Sequence, residues 1–167
     1  MAVVIRKSGP ITNRDATPRV MNNSAIAHAM MRGFTGTVET VSGDDIASIY
    51  IIGSLPSNAV VYALRIYSDD IGATTVADVG LYKNTADGGA VVDADFFASA
   101  LSVKDGALNG TDIMHESTVF DPDDVEKPLW SGLGLTSDPN LMYDVALTLT
   151  AAADAAGTIS LKCMYGI

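Results

Sequence analysis

The stretch ADVGLYKNTADGGAVVDADFFASA, residues 77–100, decides how the whole chain is parsed. Its first part alternates, with Val79 and Leu81 facing a core and Gly80 between them marking a bulge or a close backbone approach. Asp87-Gly88 inside NTADGG is a turn dipeptide. A second strand-like run follows and ends on Phe96 and Phe97. The segment therefore reads as strand, loop, strand. Asp93 and Asp95 lie at period two, so a continuous strand puts both carboxylates on one face, where they repel unless solvated or bridged by a cation.

The same pattern extends outward in both directions. FTGTVETV alternates from Phe34, DIASIYIIGS is β-branched and aromatic, and SNAVVYALRIYS sets Val60, Tyr62, Leu64 and Ile66 against Val61, Ala63, Arg65 and Tyr67. TDIMHESTVF, KPLWSGLGLT, LMYDVALTLT and GTISLKCMYG complete about nine candidate strands, with turn signals such as SDDIG, KDGALNG, DPDD and SDPN between them. Short strands at regular spacing with no long helix predict an all-β fold, an antiparallel β-sandwich of jelly-roll type. The last two runs predict a hairpin, closed by AAADAAG with Gly157 free to take positive φ.

Residues 1–33 are different. Pro10, Pro18 and the polar TNRDATPR predict an extended arm, and NNSAIAHAMMRG predicts one or two helical turns capped by Asn23 or Ser24 and stopped at Gly33. The division is thus an N-terminal arm, 1–33, and a β-sandwich domain, 34–167. Charge separates them too. Residues 1–32 carry Arg6, Lys7, Arg14, Arg19 and Arg32 against Asp15, a net of +4, while the remaining 135 residues carry five bases and nineteen acids, a net of −14. A basic arm on an acidic body implies two surfaces with different partners. Met30, Met31 and Phe34 add apolar side chains to the arm, which makes it suited to a groove on an acidic neighbour. The acidic body argues against nucleic acid as a partner, since its field repels phosphate and no basic stripe with interleaved aromatics occurs.

Catalytic patterns are weak. His28 lies in AIAHAMM and His115 in IMHES beside Glu116, but adjacent strand residues point to opposite faces and no G-x-S-x-G elbow, P-loop or dinucleotide fingerprint is present. Cys163 is the single cysteine, so no internal disulfide forms, and its alternating surroundings read as strand. Asp93 and Asp95, or Asp121, Asp123 and Asp124 in DPDD, offer oxygen ligands without the spacing of a calcium loop; solvated turn-forming acids are the simpler account, and no cofactor or metal is assigned. No apolar run is long enough to cross a bilayer, and MAVVIRKSGP lacks a signal-peptide pattern, which predicts synthesis in the cytoplasm. Trp130 in PLWSGLGL is either a core or contact residue or a sugar platform.

The series LRIYSDD, TTVADVGLYK and DGGAVVDADFFASAL, within roughly residues 58–102, together with YDVALTLTAAADAAGTISLKCMYG near the end, resembles small structural proteins of tailed bacteriophages. The resemblance implies a non-enzymatic virion component. The first expectation is a capsid decoration, or cement, protein on the capsid surface that bridges major capsid subunits and stabilises the head. It implies cyclic assembly of sister subunits, with a homotrimer expected. A tail, collar or connector component is the alternative, and a glycan or host-surface binding module is a reading from another class. The arm residues Arg6, Lys7, Arg14, Arg19, Met30, Met31, Arg32 and Phe34 are the expected contacts with partners.

Overall fold

A computed structural model describes residues 6–27, 30–104 and 106–167. The expected turn around Asn23 and Gly33 spans His28, which lies outside them. Eight strands follow a short helix: α1 Gly9–Asp15, β1 Arg32–Thr40, β2 Ile49–Pro56, β3 Val60–Ser68, β4 Val76–Lys83, β5 Val91–Ser102, β6 Leu108–Asp112, a four-residue helix α2 Leu129–Gly132, β7 Met142–Leu149 and β8 Gly157–Gly166.

The strands form two four-stranded antiparallel sheets, in the orders β1-β8-β3-β6 and β2-β7-β4-β5. First pairs with last, second with seventh, third with sixth and fourth with fifth. This is one long hairpin rolled over itself, the jelly roll. The opening stretch, β4 to β5, is the tip of that hairpin. Its loop is a 3-10 turn, Thr85–Asp87, whose Asn84 side chain accepts from the Asp87 amide before Gly88 turns at φ 98°.

The core lies between the sheets. Phe96, Phe97 and Phe120 are fully buried, and Phe96 sits 5.0 Å from each of the other two rings. Two consecutive phenylalanines cannot both face inward on a regular strand. Here the β4–β5 register skips, from Val79 opposite Ala98 to Leu81 opposite Asp93, so β5 carries extra residues in a bulge that turns both rings inward. Gly80 allows it: a Cβ there would overlap the backbone of Asp93 and Ala94. At the open side of the sandwich β1 and β2 approach closely, because Gly36 leaves room for the Ile52 carbonyl and Gly53 for the Phe34 ring.

Several sequence expectations are corrected. β7 and β8 do not form a hairpin but lie in different sheets. Residues 150–156 cross between them, with Thr150 and Ala151 donating to Val76 O, Ala153 buried, and Asp154 accepting from the amide and hydroxyl of Thr74. Alternation tells which face is buried, not which sheet a strand joins. KPLWSGLGLT is not a strand: Pro128 opens α2, and the Leu129 and Trp130 amides donate to Ala59 O and Ser57 O. TDIMHESTVF is strand only to Asp112. Beyond it local bonds replace the ladder, with Ser117 Oγ donating to Phe96 O and the Glu116 side chain accepting from Ser99 N. On β3 a bulge at Tyr62 changes the phase, so the main core cluster takes Val61, Leu64 and Ile66, while Val60 is buried outside that cluster and Tyr62 is half-buried. The leader's helix is α1, with Pro10 in its first turn, and residues 24–26 make only a turn.

Candidate assembly surfaces

The structure places the cationic side chains of the leader unequally. Lys7 and Arg14 both bind Asp15, at 2.9 and 2.8 Å. Arg14 first, then Lys7, holds the Asp15 carboxyl well below the usual carboxylate range through hydrogen bonds to its charged form. Arg6 and Arg19 are exposed, and Arg32 is the first residue of β1, opposite Tyr165. Met30 and Met31 are 83% and 66% exposed, as are Val20 at 50% and Met21 at 85%. Arg14, Arg19, Val20 and Met21 line a hollow of about 360 Å³ on the leader itself. Phe34 is placed apart from these, half-buried with its ring over Gly53 inside its own sandwich.

The leader lies outside both sheets and is not extended throughout. Asn13 donates to Asn22 at 2.9 Å and Asn22 donates to Pro10 O at 3.2 Å, so the chain after α1 doubles back along it. It meets the body where Tyr62 OH donates to Ala25 O at 2.6 Å, and Ala25 is buried there. The bulge that removes Tyr62 from the core is what frees its hydroxyl for this bond.

The strand registers bring several features to one end of the sandwich. Arg32 pairs with Tyr165, Val60 with Gly166, Pro56 with Met142, and Lys83 with Tyr143, while β5 starts at Val91 opposite Tyr82. The leader joins β1 at this end. So does a cleft of about 410 Å³, walled by Val92, Leu133, Leu135 and Leu141 with Lys83 and Asp93. Sequence reasoning missed this cleft, because β5 and the loop after α2 meet only in the folded chain. The opposite end carries Val41 and Ile46, 62% and 61% exposed, with Ile49 and Ile51 on the outer face of β2.

Asp93 and Asp95 do come together. Burial chiefly, and then the Asp95 carboxyl beside it, raise Asp93 above the ordinary carboxylate value. None of the four ion pairs among the described residues includes either acid. In DPDD, by contrast, Asp121 accepts from Asp123 N at 2.9 Å and Asp124 pairs with Lys127. His115 Nδ1 bonds Phe120 O at 2.8 Å and its ring stacks on Phe120. Cys163 is buried on β8, and burial pushes its thiol up to about 12. Trp130 is half-buried on α2.

Among solved structures, the chain is similar to one in the cyanophage Pam1 capsid asymmetric unit, at 15% identity and a TM-score of 0.51, covering 83% of this chain and 86% of that one. It is similar to a chain in the capsid of Ralstonia phage GP4, at 18% identity and a TM-score of 0.53, covering 82% and 84%. A chain of the acid-stable capsid of Helicobacter pylori bacteriophage KHP30 aligns at a TM-score of 0.38 and 16% identity, over 83% of this chain and 94% of that one. What the first two share with this chain is the fold. No protein-family model and no curated protein matches the chain.

Proposed function

We propose that the chain is a non-enzymatic virion protein of a tailed phage, and within that class a capsid decoration protein. The observation that carries this reading is a self-contained jelly roll with a cationic, apolar leader displayed outside it, in a fold similar to chains of two phage capsids. The leader would contact major capsid subunits or a sister copy. The acidic body would face solvent and keep the particle dispersed. Many weak contacts on a symmetric shell add through multivalency, so each needs only modest strength. Cyclic assembly suits such a task, and a trimer is the number that the phage-protein resemblance favours. The capsid origin of the two similar chains supports a head location over a tail, collar or connector position. A glycan-binding role draws less support, since Trp130 is half-buried on α2 rather than displayed on a strand.

The test compares the full chain with a form cut after residue 30, which leaves β1 whole, for binding to purified undecorated heads. Expected is stoichiometric binding of the full chain, visible by electron microscopy on the capsid surface, and its loss on truncation while the far-ultraviolet signal of a β-sandwich persists. Binding to tails, or no binding by the full chain, rejects the decoration reading.

A further inference from the structure

We infer that the cleft beside the β4–β5 hairpin receives residues Arg19, Val20 and Met21 of a second copy's leader. This rests on the decoration reading only in that it names the surface joining sister subunits. The cleft is apolar on most of its wall, and Leu135 at its edge is 42% exposed. Its charged walls are Lys83 and one acid, Asp93, and neither belongs to an ion pair among the described residues, so Asp93 is open to a cation from outside. A fitting occupant carries a flexible apolar side chain next to a cation.

The leader presents that combination. Met21 and Val20 are exposed beside Arg19, which is in none of those four pairs either, whereas Lys7 and Arg14 are already bound to Asp15. Methionine is unbranched and polarisable, so it fills an irregular apolar cleft readily. Met30 and Met31 are less suitable, because Arg32 directly after them is fixed in β1. A chain's own leader is anchored by the bond from Tyr62 to Ala25, six residues beyond Arg19, on β3, which lies in the other sheet from β4 and β5. The contact therefore joins two different surfaces on two copies. Such a head-to-tail contact closes into a ring when the rotation between copies allows it.

Sedimentation velocity on the full chain tests this with three single variants, Met21→Asp, Leu135→Asp and Ile46→Asp. All three positions are exposed, so the fold is kept. The wild type should sediment as an oligomer. Met21→Asp and Leu135→Asp should each weaken association by about a hundredfold, since either would bury an unpaired carboxylate. Ile46→Asp, at the other end of the sandwich, should leave association unchanged. Mixing Met21→Asp with Leu135→Asp should restore a two-chain species and nothing larger, because one intact leader then meets one intact cleft. A monomeric wild type, an oligomer indifferent to both substitutions, or a mixture that stays monomeric overturns the proposal. Head binding measured in parallel separates the two readings. Association of this kind without head binding rejects decoration alone, and head binding with association blind to both variants rejects the contact alone.

Discussion

The leader and the sandwich are held by different physics. In the sandwich, Phe96, Phe97, Phe120, Leu64 and Leu147 are fully removed from water between two hydrogen-bonded sheets. In α1 no residue is buried, and the segment after it is tied back by amide side chains at its surface. Two of the body's carboxylates diverge from the leader's Asp15 in the same way. Asp15 in the leader is surrounded by cations and held low, while Asp93 and Asp144 in the body are raised, both chiefly by burial. The lesson is that the body folds on its apolar content and leaves Asp93 and Asp144 outside the four ion pairs of the described residues, whereas the leader has little apolar content of its own to bury and leaves Met21, Met30 and Met31, with Arg6 and Arg19, exposed.

The strongest challenge to that contrast compares one core ring with the whole leader. Phe97→Ala should cost about 3–5 kcal/mol, the transfer energy of the ring plus the cavity left between the sheets. For a chain of this size that lowers the unfolding midpoint by about 10 °C. Cutting after residue 30 removes far more atoms and should shift the midpoint by no more than about 2 °C. Thermal unfolding followed by circular dichroism reads both. A truncation as damaging as Phe97→Ala would make the leader part of the fold and end the comparison.

A smaller effect sharpens it at the one hydrogen bond between leader and body among the described residues. Tyr62→Phe removes the donor to Ala25 O and should cost about 1 kcal/mol, felt by the leader alone. Tryptic cleavage at Arg14 and Arg19 should speed up about fivefold, the opening ratio for that energy. The unfolding midpoint of the sandwich should hold. Unchanged cleavage would mean that something other than this bond keeps the leader in place.

How much of this was legible in the sequence depends on the range of the interaction. Six of the eight strands follow from alternation, because period two records burial directly, and the β4–β5 hairpin follows from Asp87-Gly88. The pairing of β7 with β2 and β4 does not follow, since Val145, Leu147 and Leu149 would bury the same face in either sheet. Gly80 signalled a close approach, but only the folded register tells that the bulge turns both Phe96 and Phe97 inward. The same limit applies to the surfaces. The separation of charge between leader and body was visible in composition, and so was the proximity of Asp93 and Asp95. Leu135 meeting Asp93 across a cleft was not, because more than forty positions of loop and strand separate them.

The smallest effect concerns the body's acid. Asp93 is raised in the folded chain, so between the ordinary carboxylate value of 3.8 and its folded value the native state holds a proton that the unfolded state has released. Stability linked to this group is therefore fully present below about 3.8 and is lost as pH rises through the raised value. Asp93→Asn fixes the neutral form and keeps an oxygen for the Asp95 amide, which donates to Asp93 Oδ1 at 3.3 Å. Measured on the Met21→Asp chain, where no second copy's Arg19 is brought to Asp93, the variant should unfold about 1–2 °C higher than its Asp93 parent at pH 7 and at the same temperature at pH 3, a small gain because the site is only half-buried. An equal gain at both pH values would trace it to packing rather than charge. A loss at pH 7 on that chain would mean that Asp93 is held by a cation other than a second copy's Arg19, and the contrast with the paired Asp15 would disappear.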